Sequence, residues 1–475
     1  MADPKVVDAT PVKSFFVEML TRDISLDDAI LDLMDNSVDG VMRVIGKNSL
    51  IGEESPYSGY WVKISLDHNK FVIEDNCGGI PLDVLVEYAF RMGRSPSFKD
   101  KPVPTVGTFG IGMKRAIFKM GRDCSVLTYT GRLKGDGNNS WKEVSITPDW
   151  IDEPDRWDIP MRGVEDGKGL RDPGTKIVIR ELTQATSREF GGTKPALLDR
   201  LVRTISETYA LIIAKGFKVY VNDALVKPRP MVLMMSEKFK PYFYLKDAGN
   251  VKIQLMVGLT GPLQTEQERE IGEPVKNSSA NAGWTVVCND RVVLYCDKTT
   301  QTGWGELPVP KFHNQFIQIS GIVYFESEDA RLLPTTTTKR GVDANNPLYQ
   351  EVKNRMREGT KRFTDFTNKW KGKEGDIRSQ LEAVPRVQMN QLRKEFIKEI
   401  KLNRRETARA QTDGVVRQAT YPIPPRVSRP NNRFVVTIEP EHIPDVESFL
   451  GLLGRPPEYV IESAFDYVYK KGTRK

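Results

Sequence analysis

The ten residues from Leu31 to Gly40, LDLMDNSVDG, decide how this 475-residue chain is read. Spaced as a helix, Asp32, Asn36 and Asp39 fall at i, i+4 and i+7 on one side with Asp35 beside them. Ala29, Ile30, Leu33, Val38 and Val41 form an apolar stripe on the other side. An amide flanked by carboxylates suits a phosphate-bound Mg²⁺ and an attacking water. The amide oxygen is a hard ligand, and a carboxylate one turn earlier can orient or deprotonate the water. Taken alone, the segment fits a solvated amphipathic helix as well.

Three further segments carry related chemistry. Phe71 to Ile80, FVIEDNCGGI, runs a short apolar strand into Asp75 and Asn76 and then into Gly78 and Gly79. Glycines after a strand let backbone approach a ligand closely, and a carboxylate just before them is placed to accept a hydrogen bond from a planar base edge; on its own this is an ordinary turn. Thr105 to Gly121, TVGTFGIGMKRAIFKMG, sets Gly107, Gly110 and Gly112 in a loop that leads into an apolar, basic helix. Amides of such a loop and of the helix N-terminus suit phosphate oxygens, with Lys114 as a further charge. Met113 separates Gly112 from Lys114 and no Ser or Thr follows, which excludes a Walker loop, and the glycine spacing excludes the dinucleotide fingerprint. Finally, Gly174 and Thr175 open the strand-like Lys176 to Arg180, KIVIR, where a threonine hydroxyl is placed to support the base-reading carboxylate.

In this order the four segments resemble the motifs of the GHKL ATPase superfamily, the Bergerat-fold enzymes that include DNA gyrase B, heat-shock chaperones, MutL, histidine kinases and the MORC proteins. The resemblance covers residues 1–190 and implies an α+β chain that begins with an α/β-sandwich ATPase domain. It implies that ATP and Mg²⁺ are bound, with Asn36 as the metal ligand and Asp39 within the nucleotide site. Asp75 would bind the adenine amine, Gly79 pack under the base, Gly107, Gly110, Gly112 and Lys114 belong to the ATP lid, and Thr175 buttress the adenine site. The segment Phe90 to Ser97, FRMGRSPS, is similar to the loop before the lid in MORC and MutL relatives. Asp32 stands where the family carries a catalytic Glu, one methylene shorter, so the expectation is real but slow hydrolysis, since a displacement of this size costs roughly 10²-fold. Cys77 stands where the family carries the first glycine of its Asp-x-Gly-x-Gly motif.

Length excludes a single core and is divided here as residues 1–190, 191–346, 347–420, 421–431 and 432–475. The second part, with a helix over 196–214, the strand FKVYV at Phe217 to Val221 and the hairpin WTVVCNDRVVLYCD at Trp284 to Asp297, resembles the ribosomal-S5-like transducer domain of MORC and MutL. There the TTTTKRGVD stretch, Thr335 to Asp343, looks like the loop whose lysine reaches the γ-phosphate; Lys339 takes that role, with Arg340 second.

The formal charge of +7 is local: residues 351–430 hold 20 Lys or Arg against 10 Asp or Glu. Within this basic helical region Met389, Leu392, Phe396, Ile397 and Ile400 recur at helical spacing. Arg393, Lys394, Lys398, Lys401, Arg404 and Arg405 fill the other positions and are the candidate contacts to double-stranded DNA; a solvated helical arm or a partner-binding helix is the competing reading. YPIPPRVSRP, Tyr421 to Pro430, reads as a proline-rich linker, and the last part, with the strand FVVTI and a helix from Glu458 to Lys470, as a small module for an operon-encoded protein partner or for dimerisation.

No apolar run reaches the ~20 residues that span a bilayer, no signal peptide is apparent, and the four cysteines show neither metal nor disulfide spacing, so the reading is a cytoplasmic protein without a membrane role. His68, His313 and His442 are scattered. The resemblance implies an ATP-dependent homodimer that acts as a clamp in a DNA transaction, with antiviral defence among the settings of such relatives; the alternative is a chaperone-like or regulatory ATPase with a protein client.

Overall fold

A computed structural model describes residues 12–46, 55–91, 105, 110–131, 141–165, 170–192, 196–265, 268, 279–336, 338–425 and 439–472. The chain divides into two compact units, residues 1–423 and 424–475. Gly107, most of the Phe90 to Ser97 segment and the FVVTI strand lie outside the described residues.

The first part of the larger unit is built on α1 (Lys13–Arg22), α2 (Leu26–Ile45) and an eight-stranded sheet. Ser25 caps α2 by accepting the Asp28 amide at 3.1 Å, Asp27 and Asp28 sit in its positive first turn, and the chain leaves through Gly46 at φ +77°. The strands are β1 (Trp61–Leu66), β2 (Phe71–Asp75), β3 (Gly121–Tyr129), β4 (Trp141–Ile146), β5 (Met161–Val164), β6 (Gly174–Leu182), β7 (Lys218–Val221) and β8 (Ala224–Leu225), in the order β5-β4-β3-β6-β2-β1-β7-β8. Two helices, α3 (Gly112–Met120) and α4 (Ala196–Thr208), share one core with α2. In that core Ile30, Leu33, Met34, Val38 and Val41 meet Ile64, Ile73, Ile117, Val126 and Leu201. The apolar stripe read from α2 is therefore buried as expected. Strand β2 alternates between buried and half-buried residues, and the period of two places Asp75 on the same inner face as Phe71 and Ile73.

The boundary expected at residue 190 is displaced. FKVYV pairs in parallel with β1 in the first sheet and covers its backbone edge, and core residues continue through α4 to Val226.

A second, six-stranded sheet follows, with β9 (Val232–Met234) outside it, β10 (Tyr242–Ala248), β11 (Val251–Leu259), β12 (Gly283–Cys288), β13 (Arg291–Asp297), β14 (Ile319–Glu326), β15 (Arg386–Gln388) paired to β9, and β16 (Val415–Arg417). Its order is β13-β12-β14-β11-β10-β16. Alternate residues of β11 and β14 feed two cores on opposite faces, which is why all eight residues of β14 are buried. One face is covered by α5 (Pro347–Lys369) through Tyr349, Val352, Met356, Phe363 and Phe366. The other is covered by α6 (Met389–Lys401), whose Phe396 ring stacks on Phe243 at 4.7 Å. Residues 347–420 therefore do not stand apart as a basic helical region; their apolar stripes are needed to close the second sheet, and β16 joins it beside β10. Helix α7 (Arg404–Ala410) follows α6.

The smaller unit contains α8 (Ile443–Leu450) and α9 (Pro457–Gly472), joined by an edge-to-face contact of Phe449 and Tyr467 at 5.5 Å. Phe465 and Val468 of α9 are exposed. All four cysteines are free thiols, and no helix among the described residues is long and apolar enough to cross a membrane.

Candidate nucleotide site

Helix α2 sorts its polar residues more sharply than its periodicity implies. Asn36 is exposed, whereas Asp32, Asp35 and Asp39 are all buried. The exposed amide leaves its oxygen free for a hard cation.

Asp75 is held from three directions. Its Oδ1 accepts the Cys77 amide at 2.9 Å and the Thr175 amide at 3.2 Å, and its Oδ2 accepts the Ser37 hydroxyl at 2.7 Å. A carboxylate oxygen has two acceptor sites, so Oδ2 retains one for an outside donor such as a base amine. Burial pushes the Asp75 carboxyl up, and these hydrogen bonds oppose the rise. Thr175 thus supports Asp75, but through its backbone amide, because antiparallel pairing sets it directly opposite Asp75 across β2 and β6. Gly79 lies in the left-handed region at φ +72°, and a Cβ there would meet the Tyr129 carbonyl oxygen at 2.2 Å, so only glycine lets the turn pass so close to β3. The carboxylate expected from sequence is buried at the end of β2, and the glycine expected beneath the base lies half-buried in the turn that follows.

One turn along α2 lies a charge cluster drawn from four elements. Arg115, on α3, donates from Nε to Asp32 Oδ2 at 2.7 Å, and its terminal nitrogen forms an ion pair with the same oxygen at 2.6 Å. Lys339 donates from Nζ to Asp35 Oδ2 at 2.7 Å and stands 4.0 Å from Asp32 Oδ1. Arg291, the first residue of β13, donates from Nε to Asp35 Oδ1 at 2.7 Å, and the Tyr209 hydroxyl donates to the same oxygen at 2.7 Å. Burial opposes the charge on Asp35, but Arg291 and Lys339 outweigh it and hold the carboxyl down to about 2. Burial also raises the Asp32 carboxyl, with Lys339 and Arg115 pulling against it and Asp35 adding to it. Two carboxylates face three cations here, so the cluster carries one surplus positive charge, a local field suited to a polyphosphate.

The second sheet reaches this cluster through a turn. Asn289 and Asp290 both have positive φ, 47° and 65°, as a two-residue hairpin turn requires, and both are buried. Asn289 donates to the Thr105 carbonyl at 2.9 Å, Asp290 accepts Lys215 at 2.6 Å and Tyr57 at 3.2 Å, and Arg291 also donates to the Lys339 carbonyl. Lys339 sits at φ +57°, a conformation that costs a non-glycine residue about 1–3 kcal/mol and that the Arg291 contact and its own amide bond to Thr336 hold in place.

Three expectations are corrected. Lys114 is buried and its Nζ is spent on the carbonyls of Ala89, at 3.0 Å, and Gly110; it turns inward rather than toward a phosphate. Arg340 is paired with Asp28 on α2 and is not a second cation beside Asp35. Arg393 is no surface contact for DNA: it is buried, paired with Glu326 at 2.6 Å, and lies over the Tyr324 ring at 4.2 Å, because its helix packs on β14 at that position. Lys394 is half-buried, and Lys398, Lys401, Arg404 and Arg405 are exposed.

Sequence reasoning overlooked Ser37, Arg115, Tyr209 and Arg291. Arg291 had a signal: a charged residue directly after a turn and at the head of the apolar run VVLY. Arg115 lacked one, being one of several cations in a basic helix.

Residues 24–160 match the family model described as histidine kinase-, DNA gyrase B-, and HSP90-like ATPase. The match takes in α2, Asp75 and the glycine loop, and ends before Thr175. No curated protein matches the chain.

Proposed function

Because its N-terminal part is a GHKL-type ATPase domain, we propose that this chain binds Mg²⁺-ATP, hydrolyses it slowly, and uses ATP to close a homodimer as a clamp on duplex DNA. In this reading Asp75 accepts the adenine amine, and the amides leading into α3 meet the phosphates. Asn36 offers Mg²⁺ a hard, exposed amide oxygen; the surplus positive charge beside it attracts the phosphates, which would bring the ion with them, and the ion, when bound, would neutralise phosphate charge. Asp32 takes the proton of the attacking water as the water oxygen bonds to the terminal phosphorus, and the broken bond's electron pair leaves with ADP. The observation that carries a nucleotide-gated clamp is Lys339: a cation from the loop before α5 pairs with Asp35 and stands 4.0 Å from Asp32, the two carboxylates that precede Asn36. Likeness to MORC and MutL belongs to this proposal, as does antiviral defence.

Asp32→Asn tests it. ATP binding should persist while phosphate release falls by roughly 10² or more. Wild-type protein that binds ATP without releasing phosphate would make it a nucleotide switch instead of an enzyme.

A second reading, a chaperone-like ATPase with a protein client or an operon-encoded partner at the smaller unit, is favoured by the exposed Phe449, Phe465 and Val468 of α8 and α9 and by the loss of Arg393 as a DNA contact. ATPase rates with and without duplex DNA separate the two.

A further inference from the structure

The three carboxylates along this face of α2 are used differently. Asp28 is paired with Arg340, and Asp35 has both oxygens engaged by Lys339, Arg291 and Tyr209. Asp32 is engaged on one side only. The Arg115 hydrogen bond from Nε and its ion pair from the terminal nitrogen both fall on Oδ2, and the nearest cation to Oδ1 is Lys339 at 4.0 Å, outside hydrogen-bond range, so Oδ1 accepts no hydrogen bond among the described residues.

The backbone makes this grip possible. Arg115 lies three residues beyond Gly112, and a Cβ on Gly112 would stand 3.2 Å from the Asp32 carboxyl carbon. A side chain at that point would crowd the Asp32 side chain, which would have to give by a few tenths of an ångström. The planar guanidinium then fixes the rotation of a short side chain that would otherwise spin between equivalent oxygens.

We propose that Arg115 is a positioning residue for hydrolysis: it holds Asp32 by Oδ2 and leaves Oδ1 as the oxygen that takes the proton from water. This rests on the reading of Asp32 as the general base. As the water oxygen bonds to the terminal phosphorus, its proton moves to Oδ1. The bond from that phosphorus to the bridging oxygen breaks with its electron pair on ADP, and Oδ1 later returns the proton to solvent. The grip accounts for an Asp serving where a longer Glu is usual, because what the side chain lacks in reach it gains in fixed direction. The charged groups acting on Asp32 are Asp35 on its own helix, Arg115 on α3 and Lys339 on the loop before α5. Removing the Arg115 charge leaves burial less opposed, so Asp32 should protonate at higher pH.

The experiment uses the full chain with Arg115→Ala and Arg115→Lys. Steady-state ATP hydrolysis is followed across pH, and the Asp32 carboxyl is titrated by carbon-13 NMR without nucleotide. Arg115→Ala should lower kcat by roughly 10- to 10²-fold with KM for ATP almost unchanged, and move the acid limb of kcat upward in pH. Arg115→Lys should recover part of kcat and return the limb toward its original position. A rise in KM with an unmoved acid limb would overturn the proposal by making Arg115 a phosphate ligand; unchanged kinetics would overturn it too. If the wild-type chain shows no turnover, the ATPase reading fails separately. The titration then decides the grip: an Asp32 midpoint that does not move in Arg115→Ala overturns it, and an upward move upholds it.

Discussion

Lys339 Nζ and Asp35 Oδ2 meet at 2.7 Å across 304 residues of sequence. The contact joins the loop before α5 to the helix that carries Asn36, and in the proposed reading a phosphate held beside Asn36 would compete for this cation.

Lys339→Ala should therefore bind ATP almost normally yet fail to dimerise on ATP. Asp35 retains Arg291 and Tyr209, so the nucleotide-free arrangement survives, and the lost contact acts only on the closing equilibrium. Light scattering with a non-hydrolysable ATP analogue checks this. Normal closure would remove the loop from the coupling, since Arg340 is already committed to Asp28.

Asp75→Asn should weaken ATP binding by roughly 10- to 10²-fold, the equivalent of a charge-assisted hydrogen bond of about 1.5–3 kcal/mol. The Cys77 and Thr175 amides and the Ser37 hydroxyl all donate to Asp75, so an Asn amide nitrogen also confronts donors already in place. Calorimetry giving unchanged affinity would remove Asp75 from the adenine site.

Acid should find Asp35. A carboxyl held at about 2 when folded, against an ordinary value of 3.8, contributes stability that is complete above pH ~4 and is lost as pH falls through about 2. Across that window the loss attributable to this group is about 2 kcal/mol. Urea unfolding from pH 5 to pH 2 should show a shallower fall for Asp35→Asn than for the wild type. Parallel slopes would place the acid sensitivity elsewhere.

Part of the candidate site is legible in local sequence, and the rest is hidden for physical reasons. The apolar stripe of α2, the inner-face placement of Asp75 and the Asn289–Asp290 turn follow from local periodicity and turn chemistry, which short stretches of sequence carry in full. The burial of Asp35 does not, because it is created by Arg291 and Lys339 from elements more than 250 residues away. Arg393 and Lys114 misled for the same reason: each occupies a helical position that reads as a surface cation, and each is turned inward by a partner, Glu326 or the Ala89 carbonyl, on another segment. The domain boundary slipped because a strand can serve a sheet formed far earlier in the chain, as FKVYV does beside β1.

DNA binding, if it belongs to the exposed part of the basic segment, should be largely independent of sequence and steep in salt. Lys398, Lys401, Arg404 and Arg405 are exposed on α6 and α7, while Arg393 is committed to Glu326. Each phosphate contact on B-DNA contributes a log–log salt slope of about −0.9. Reversing the charge of Lys398, Lys401 and Arg405 together should flatten that slope by roughly 3 units and leave ATP affinity intact, whereas reversing Arg393 should destabilise the fold, because it would set a second buried anion against Glu326. Gel shifts across a salt series and calorimetry with ATP measure both effects. A chain that binds no duplex at about 50 mM salt, where such contacts are strongest, or that binds equally well after the triple reversal, would turn this surface over to a protein partner and make the chaperone-like reading the better one.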